Sequence, residues 1–408
     1  MRVTILSIGD ELLSGKTVNT NANYISLVLD GLGCEIVKQV TVADRKNDIL
    51  DCLTDLFKMP IDLILCTGGL GPTSDDITLD VIFSFFNSKK LFDDKYWIKL
   101  MNKFSNIGIP ISKSHKKQAV VPDNGSIIPN SIGTARGFQF EKNKIVFIAM
   151  PGVPSEMQAM MNDTIIPMVK SKIVKSKYVA TIRTTGAAET ILYDLINKNN
   201  DDDDDNINIG YYPSVYGVDI RLVGKDLNKL NNIKENIANT VSDYFYTFSD
   251  HNLEEIVVNK LIKHQFTIAT AESCTGGLIG NRITEVPGSS NVYKGSIVAY
   301  SNSVKINNLG IDKNNLEKYG AVSREIAGEM ARQVRKTFNS KIGVSTTGIA
   351  GPGGSTKEKP IGLVYVALSS KEDLVIKKYN FHSNRNKNKI RSSQAVLKII
   401  QDYCENYE

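Results

Sequence analysis

Ser273 and Cys274 stand together in Ala271-Glu272-Ser273-Cys274-Thr275-Gly276-Gly277-Leu278, between an apolar strand pattern and the start of a helical one. A serine held in such a tight turn can attack a carbonyl, and a following helix N-terminus stabilises developing negative charge. Ser273 is therefore a candidate nucleophile, although it lies outside a Gly-x-Ser-x-Gly elbow. Cys274 is the rival, but a lone Cys beside Thr-Gly-Gly is more often a small buried residue. The four histidines (His115, His251, His264, His382) are scattered, so a base must come from elsewhere. Tyr300-Ser301-Asn302-Ser303-Val304-Lys305 supplies one, because a tyrosine or a desolvated lysine takes a proton from serine where histidine is absent. A surface turn with a solvated Lys305 has the same spacing. Ser345-Thr346-Thr347-Gly348-Ile349-Ala350-Gly351-Pro352 is a further strand end, where the Thr347 hydroxyl can meet a phosphate or the reacting carbonyl. Gly276, Gly277, Gly348 and Gly351 let the backbone approach a substrate closely.

A different chemistry is suggested by Thr67-Gly68-Gly69-Leu70-Gly71-Pro72-Thr73-Ser74-Asp75-Asp76. Glycine N–H groups cradle an anion, with Thr73 and the following helix start adding donors. Asp75 and Asp76 offer the hard oxygens that Mg²⁺ or Mn²⁺ prefers. A capped strand-to-helix turn would use the same carboxylates as N-caps. Three glycines, a proline and two acids in one loop favour a phosphate-and-metal site built on Gly68, Gly69, Gly71 and Thr73. Asp10 and Glu11, in Gly9-Asp10-Glu11-Leu12-Leu13-Ser14-Gly15, can join the same metal or position a ribose. Arg136, in Gly133-Thr134-Ala135-Arg136-Gly137, is placed to meet a phosphate.

The elements that must hold these residues alternate between strand and helix. Strand patterns cover 3–8, 35–42, 62–67 and 146–150, with helices over 21–31 and 46–58. This order predicts an α/β domain over residues 1–170 with a parallel sheet, and ligand sites at the carboxyl ends of its strands. Residues 171–250 read as a small α+β module, whose Asp201–Asp205 run is a self-repelling loop insertion. A second α/β domain follows over 253–408. It has a helix over 253–264, strands over 267–271, 296–300, 342–347 and 362–368, helices over 323–337 and near 390–403, and Ser323 as a helix cap.

In this order the motifs resemble the CinA (competence/damage-inducible) family. Its first domain is similar to molybdopterin-binding domains, and the resemblance spans nearly the whole chain. The family usually has proline where this chain has Arg136. The resemblance implies metal-dependent ADP-ribose pyrophosphatase activity (Mg, Mn or Co) in the first domain. In the last domain it implies deamidation of nicotinamide mononucleotide to the acid and ammonia, with no cofactor. Ser273 would be the catalytic serine, Tyr300 and Lys305 its helpers, and Thr347 a substrate contact. The family's Phe-x-Gly-Asp-Arg with a second Arg four residues on is altered to Phe381-His382-Ser383-Asn384-Arg385, with Arg391 six residues later. Arg385 is the better match to the substrate-contacting arginine, and Arg391 the alternative.

The chain's 408 residues, 41% of them hydrophobic, fit two or three globular domains. The five cysteines are odd in number and scattered, and no apolar run is long enough to span a bilayer. The N-terminal stretch reads as a strand rather than a signal peptide, so a cytoplasmic enzyme is expected, with a homodimer as its assembly. The net charge of +5 is concentrated in Lys377, Lys378, Arg385, Lys387, Lys389 and Arg391, which sum to +6 in a stretch without Asp or Glu. A phosphate-bearing small molecule, rather than nucleic acid or a membrane, is the expected partner. The rival reading is a non-catalytic protein that binds a pterin or nucleotide and acts in competence or DNA repair.

Overall fold

A computed structural model describes residues 1–73, 76–106, 108, 110–173, 177–199 and 207–407. The expected metal ligand Asp75 and the Asp201–Asp205 run lie outside the described residues. The chain divides into two compact units, Met1–Lys177 and Tyr178–Glu408.

In the first unit, β1 (Arg2–Ile8), β2 (Glu35–Val42), β3 (Leu63–Thr67), β6 (Ser126–Ile128), β7 (Gly137–Lys142) and β8 (Ile145–Met150) form a sheet in the order β2-β1-β3-β8-β7-β6. A short ladder pairs β4 (Lys90–Phe92) with β5 (Val120–Pro122). β1, β2, β3 and β8 are mutually parallel, as the alternation of elements predicts. The β6–β7–β8 edge is antiparallel, a feature absent from the sequence expectation. Asn143 and Lys144, both with positive φ (54° and 66°), join Lys142 to its partner Ile145. A two-residue turn of this kind closes a hairpin and excludes a parallel crossover.

Both faces of the central strands are covered, which is why they read as continuous apolar runs. Leu6, Ile64 and Phe147 pack with Phe83 and Phe138 on one side. Val3, Ile5 and Ile148 pack with Leu29, Met157 and Met161 on the other. The helix Ile166–Lys172 buries Val169 in that second cluster, so this unit runs past residue 170.

In the second unit, β9 (Tyr178–Thr184), β10 (Ile207–Pro213), β11 (Val218–Gly224) and β12 (Phe245–Thr247) form an antiparallel sheet, β10-β11-β9-β12. A second sheet has the order β14-β13-β15-β16-β17. Its strands are β13 (Ile268–Glu272), β14 (Tyr293–Val298), β15 (Ile342–Gly348), β16 (Leu363–Ser369) and β17 (Leu374–Asn380). β13 runs parallel to β14 and β15, and β16 and β17 are antiparallel. The two sheets share a unit because the chain ties them together. Arg183 donates to the Asp250 and His251 carbonyls at 3.1 and 2.9 Å, and Gln401 donates to the Tyr246 carbonyl at 3.0 Å.

Candidate functional site

The carboxyl ends of β13, β14 and β15 bring the serine and lysine motifs together. β14 ends at Val298, two residues earlier than its sequence pattern suggests. The chain turns there, and the Ser301 side chain caps the short helix Asn302–Asn307 by accepting from Val304 N at 3.2 Å. That helix turns Lys305 inward until it is 1% exposed. Its Nζ donates to the Ala299 carbonyl at 2.7 Å, to the Tyr300 carbonyl at 3.3 Å, and to Ser273 Oγ at 3.0 Å.

This geometry determines what the lysine can do. Two carbonyls each take one N–H, so the third position on nitrogen faces Ser273 Oγ. In the neutral amine that position is a lone pair able to accept the serine proton. Burial holds the Lys305 amine below its usual range, because the charged form loses its hydration. No carboxylate within ion-pair distance restores it among the described residues.

Tyr300 contributes through its backbone carbonyl. The residue is 59% exposed, and its hydroxyl accepts from Arg385 Nη2 at 2.9 Å. Lys305, and not the Tyr300 hydroxyl, therefore touches the serine. Burial raises the Cys274 thiol to about 12, which leaves it protonated and unsuited to nucleophilic attack. The Thr347 hydroxyl, expected as a substrate contact, has an internal partner. It is fully buried and donates to the Ala321 carbonyl at 2.6 Å, so its proton is already committed.

Gly276 and Gly277 take left-handed φ values of 64° and 95°, closing the turn after Ser273. At the end of β15, a Cβ on Gly348 would meet the Leu363 carbonyl at 2.6 Å. The two candidate arginines separate. Arg385 donates to the Gly351 carbonyl at 2.7 Å as well as to Tyr300, whereas Arg391 donates to the Phe381 carbonyl at 3.2 Å. Asn388, unnoticed in the sequence, fixes this region by donating to the Ala350 and Ser383 carbonyls at 3.0 and 2.8 Å.

The expected oxyanion site at the helix start is already occupied. The Glu272 carboxylate accepts from the N–H groups of Gly277, Ile279 and Gly280 at 2.9, 3.1 and 2.9 Å. Those are three of the four free donors at the start of the helix Leu278–Thr284, the fourth being the Leu278 N–H.

In the first unit, the ends of β1, β3 and β8 border a cleft of about 540 Å³. The glycines are required by close approach. A Cβ on Gly68 (φ 109°) would lie 2.1 Å from the Ile8 carbonyl, and one on Gly69 2.0 Å from Thr78 Oγ1. A Cβ on Gly152, after β8, would lie 3.4 Å from Gly68 Cα. Gly68, Gly69, Gly71, Glu11 and Asp76 line the cleft, and Asp10 is absent from the lining.

Asp76 accepts from Thr73 N at 2.8 Å and from Thr73 Oγ1 at 2.5 Å, so it also closes its own turn. Asp44 and Glu156 add two carboxylates that the sequence reading did not assign to the cleft. Burial raises the Asp44 carboxyl, and the negative charges of Asp10, Glu11 and Asp76 push it further, against a hydrogen bond from Asp10 N. Its position after β2 was the available signal, since site residues gather at strand ends. Among the described residues, no three His, Cys, Asp or Glu form a ready-made metal cage. The amide oxygens of Asn21 and Gln118, both lining the cleft, are buried without partners. Arg136 is not offered to a phosphate. It is buried, pairs with Asp93 at 2.7 Å and lies over the Tyr96 ring at 3.8 Å.

Comparison with known proteins finds a family for each part of the chain that carries a candidate site. Residues 4–171 match the model of a probable molybdopterin binding domain, and residues 250–404 match the CinA C-terminal domain. A competence-damage inducible protein of Caldanaerobacter subterraneus is 38% identical over 415 residues, covering 99% of both chains. One of Clostridium botulinum is 39% identical over 394 residues, covering 94% of this chain and 95% of its own. A crystal structure of a competence/damage inducible protein from Agrobacterium tumefaciens is 33% identical, covering 36% of this chain and 94% of its own, with a TM-score of 0.35. No described helix is long and apolar enough to cross a membrane. With relatives matched over essentially its whole length, the chain belongs to the CinA family of competence-damage inducible proteins, carrying a molybdopterin-binding-type domain followed by the CinA C-terminal domain.

Proposed function

We propose that the second unit is an amidohydrolase that converts the carboxamide of nicotinamide mononucleotide to the acid, releasing ammonia. The observation that carries this reading is the contact between buried Lys305 Nζ and Ser273 Oγ at 3.0 Å. Neutral Lys305 takes the serine proton as Oγ adds to the amide carbon. The protonated lysine then returns a proton to the departing nitrogen, and ammonia leaves an acyl-serine. Water, deprotonated by the same amine, releases the carboxylic acid and restores Ser273. Arg385, beside Tyr300 at the strand ends, is suited to the substrate phosphate. Ser273→Ala is expected to abolish ammonia release from nicotinamide mononucleotide while leaving the fold intact. Undiminished release would remove Ser273 from the mechanism, and none from the unmodified protein would favour a binding role.

For the first unit, we propose pyrophosphate cleavage of ADP-ribose aided by a divalent cation such as Mg²⁺, Mn²⁺ or Co²⁺. Glu11, Asp44, Asp76 and Glu156 make the cleft acidic, and acids alone would repel a pyrophosphate. A cation held by one or two of the carboxylates Glu11, Asp44 and Asp76, together with the substrate phosphates, fits this donor set. Mg²⁺ is commonly held by one or two carboxylates together with substrate phosphates, without a full protein cage. Once bound, the cation would neutralise phosphate charge and polarise the bond to be cleaved. The glycine loop lets the phosphate approach the backbone, and the free amide oxygens of Asn21 and Gln118 accept from N–H groups of the ligand. ADP-ribose cleavage should stop on adding a chelator, and Asp44→Asn should reduce it at least about tenfold at fixed metal. Cleavage that is indifferent to both would refute the cation assignment.

A further inference from the structure

We propose that Glu272 is the positioning residue of the serine site, holding the Ser273–Gly277 turn so that the N–H of Cys274 forms the oxyanion hole. This rests on the reading of Ser273 as the nucleophile. Glu272 is the last residue of β13, is fully buried, and has no cationic partner among its contacts. A buried carboxylate is costly unless donors replace its water. Here both oxygens are used, Oε2 accepting from Gly277 and Ile279 and Oε1 from Gly280. The helix cap is Gly277 in a left-handed conformation with no side-chain cap of its own. An ordinary serine or aspartate cap would serve the helix locally. The carboxylate used instead comes from the residue just before the nucleophile, so it clamps the turn across its base.

Two further bonds hold the same turn. Ser273 N donates to the Thr346 carbonyl at 3.0 Å, and the Thr275 and Thr346 hydroxyls are paired at 2.8 Å. Beyond its own sulfur, the Cys274 N–H finds no acceptor among the described residues, although Cys274 is buried, whereas Thr275 is fully closed off from solvent. Buried N–H groups without partners are rare. Next to a nucleophile they are placed for the charge that develops on a substrate oxygen, the role commonly taken by the N–H of the residue after the nucleophile. Glu272 takes three of the four donors at the helix start, which favours the turn for this part.

The test uses the full chain with Glu272→Gln and Glu272→Asp, and Ser273→Ala as control. Two reactions are followed: ammonia release from nicotinamide mononucleotide, and labelling of Ser273 by a small alkyl fluorophosphonate. In the second, an Oγ–P bond forms, fluoride leaves, the serine proton passes to Lys305, and the phosphoryl oxygen occupies the same hole. Glu272→Gln should lower kcat on the order of 100-fold with KM changed less than about threefold. Labelling should slow in parallel, the acid limb of the pH profile should stay in place, and Glu272→Asp should recover part of the loss.

Several results would overturn the proposal. One is turnover and labelling per folded molecule within about threefold of the parent in Glu272→Gln. Another is an acid limb that moves with the loss, which would mean that Glu272 acts through Lys305. Failure of both variants to fold would assign Glu272 to stability alone. If the parent releases no ammonia but is labelled at Ser273, the substrate assignment falls while the labelling rates still decide the oxyanion hole.

Discussion

Lys305 has a chemical meaning that depends on its surroundings. In water its amine would be protonated and inert near neutrality. In this fold, burial disfavours the charge, and the Ala299 and Tyr300 carbonyls fix where the remaining position points. The sign of the resulting pH dependence is determined. The active form is the neutral amine, so kcat should rise with pH through the lowered Lys305 pKa, with an acid limb below the range of a free lysine. Lys305→Arg, which cannot lose its proton, should reduce kcat by about 10²- to 10⁴-fold and flatten that limb. A pH–rate profile of both proteins checks this, and an unchanged limb in the arginine variant would exclude Lys305 as the base. Cys274 illustrates the opposite case, since the same burial that activates the amine disables the thiol.

Elements place these residues through their ends. β14 stops at Val298, so the next two carbonyls are released from the ladder and reach Lys305. A strand continuing to Tyr300 would keep them in the sheet. In the first unit, Gly68 follows β3 and lies against the end of β1. Gly68→Ala would force a Cβ within 2.1 Å of the Ile8 carbonyl at a φ of 109°. The expected cost is about 1–3 kcal/mol of stability or more, with loss of ligand binding in the cleft. Chemical denaturation together with ADP-ribose titration measures both, and an unaltered midpoint would show that the strand ends can separate without cost.

Across the whole molecule, the two candidate sites belong to separate compact units. Every residue of the serine site lies between 272 and 391, together with the basic segment that carries the net charge. Residues 178–408 expressed alone should therefore fold and retain ammonia release within about twofold of the full chain, because a compact unit with its own core can fold by itself. They should have lost ADP-ribose cleavage altogether. Loss of both activities in the excised unit would show that the serine site depends on the first.

The order of elements was legible because apolar periodicity is a local property of the chain. The sequence determined the α/β class, the glycine loops at strand ends, and the pairing of Ser273 with Tyr300 and Lys305 as candidates. It also placed the charge surplus in one segment. The antiparallel edge of the first sheet escaped it, because the Asn143–Lys144 turn acts through backbone φ angles and not through an apolar pattern. The choice between Lys305 and Tyr300, the commitment of Thr347 to Ala321, the burial of Arg136 against Asp93, and the presence of Asp44 in the cleft belong to tertiary structure alone. These depend on which groups, distant along the chain, are brought within about 3 Å of one another and removed from water. Hydrogen-bond partners and desolvation are properties of that arrangement. Glu272 shows the difference most directly: the sequence places an acid before the nucleophile, and the fold makes it the anion of the helix start.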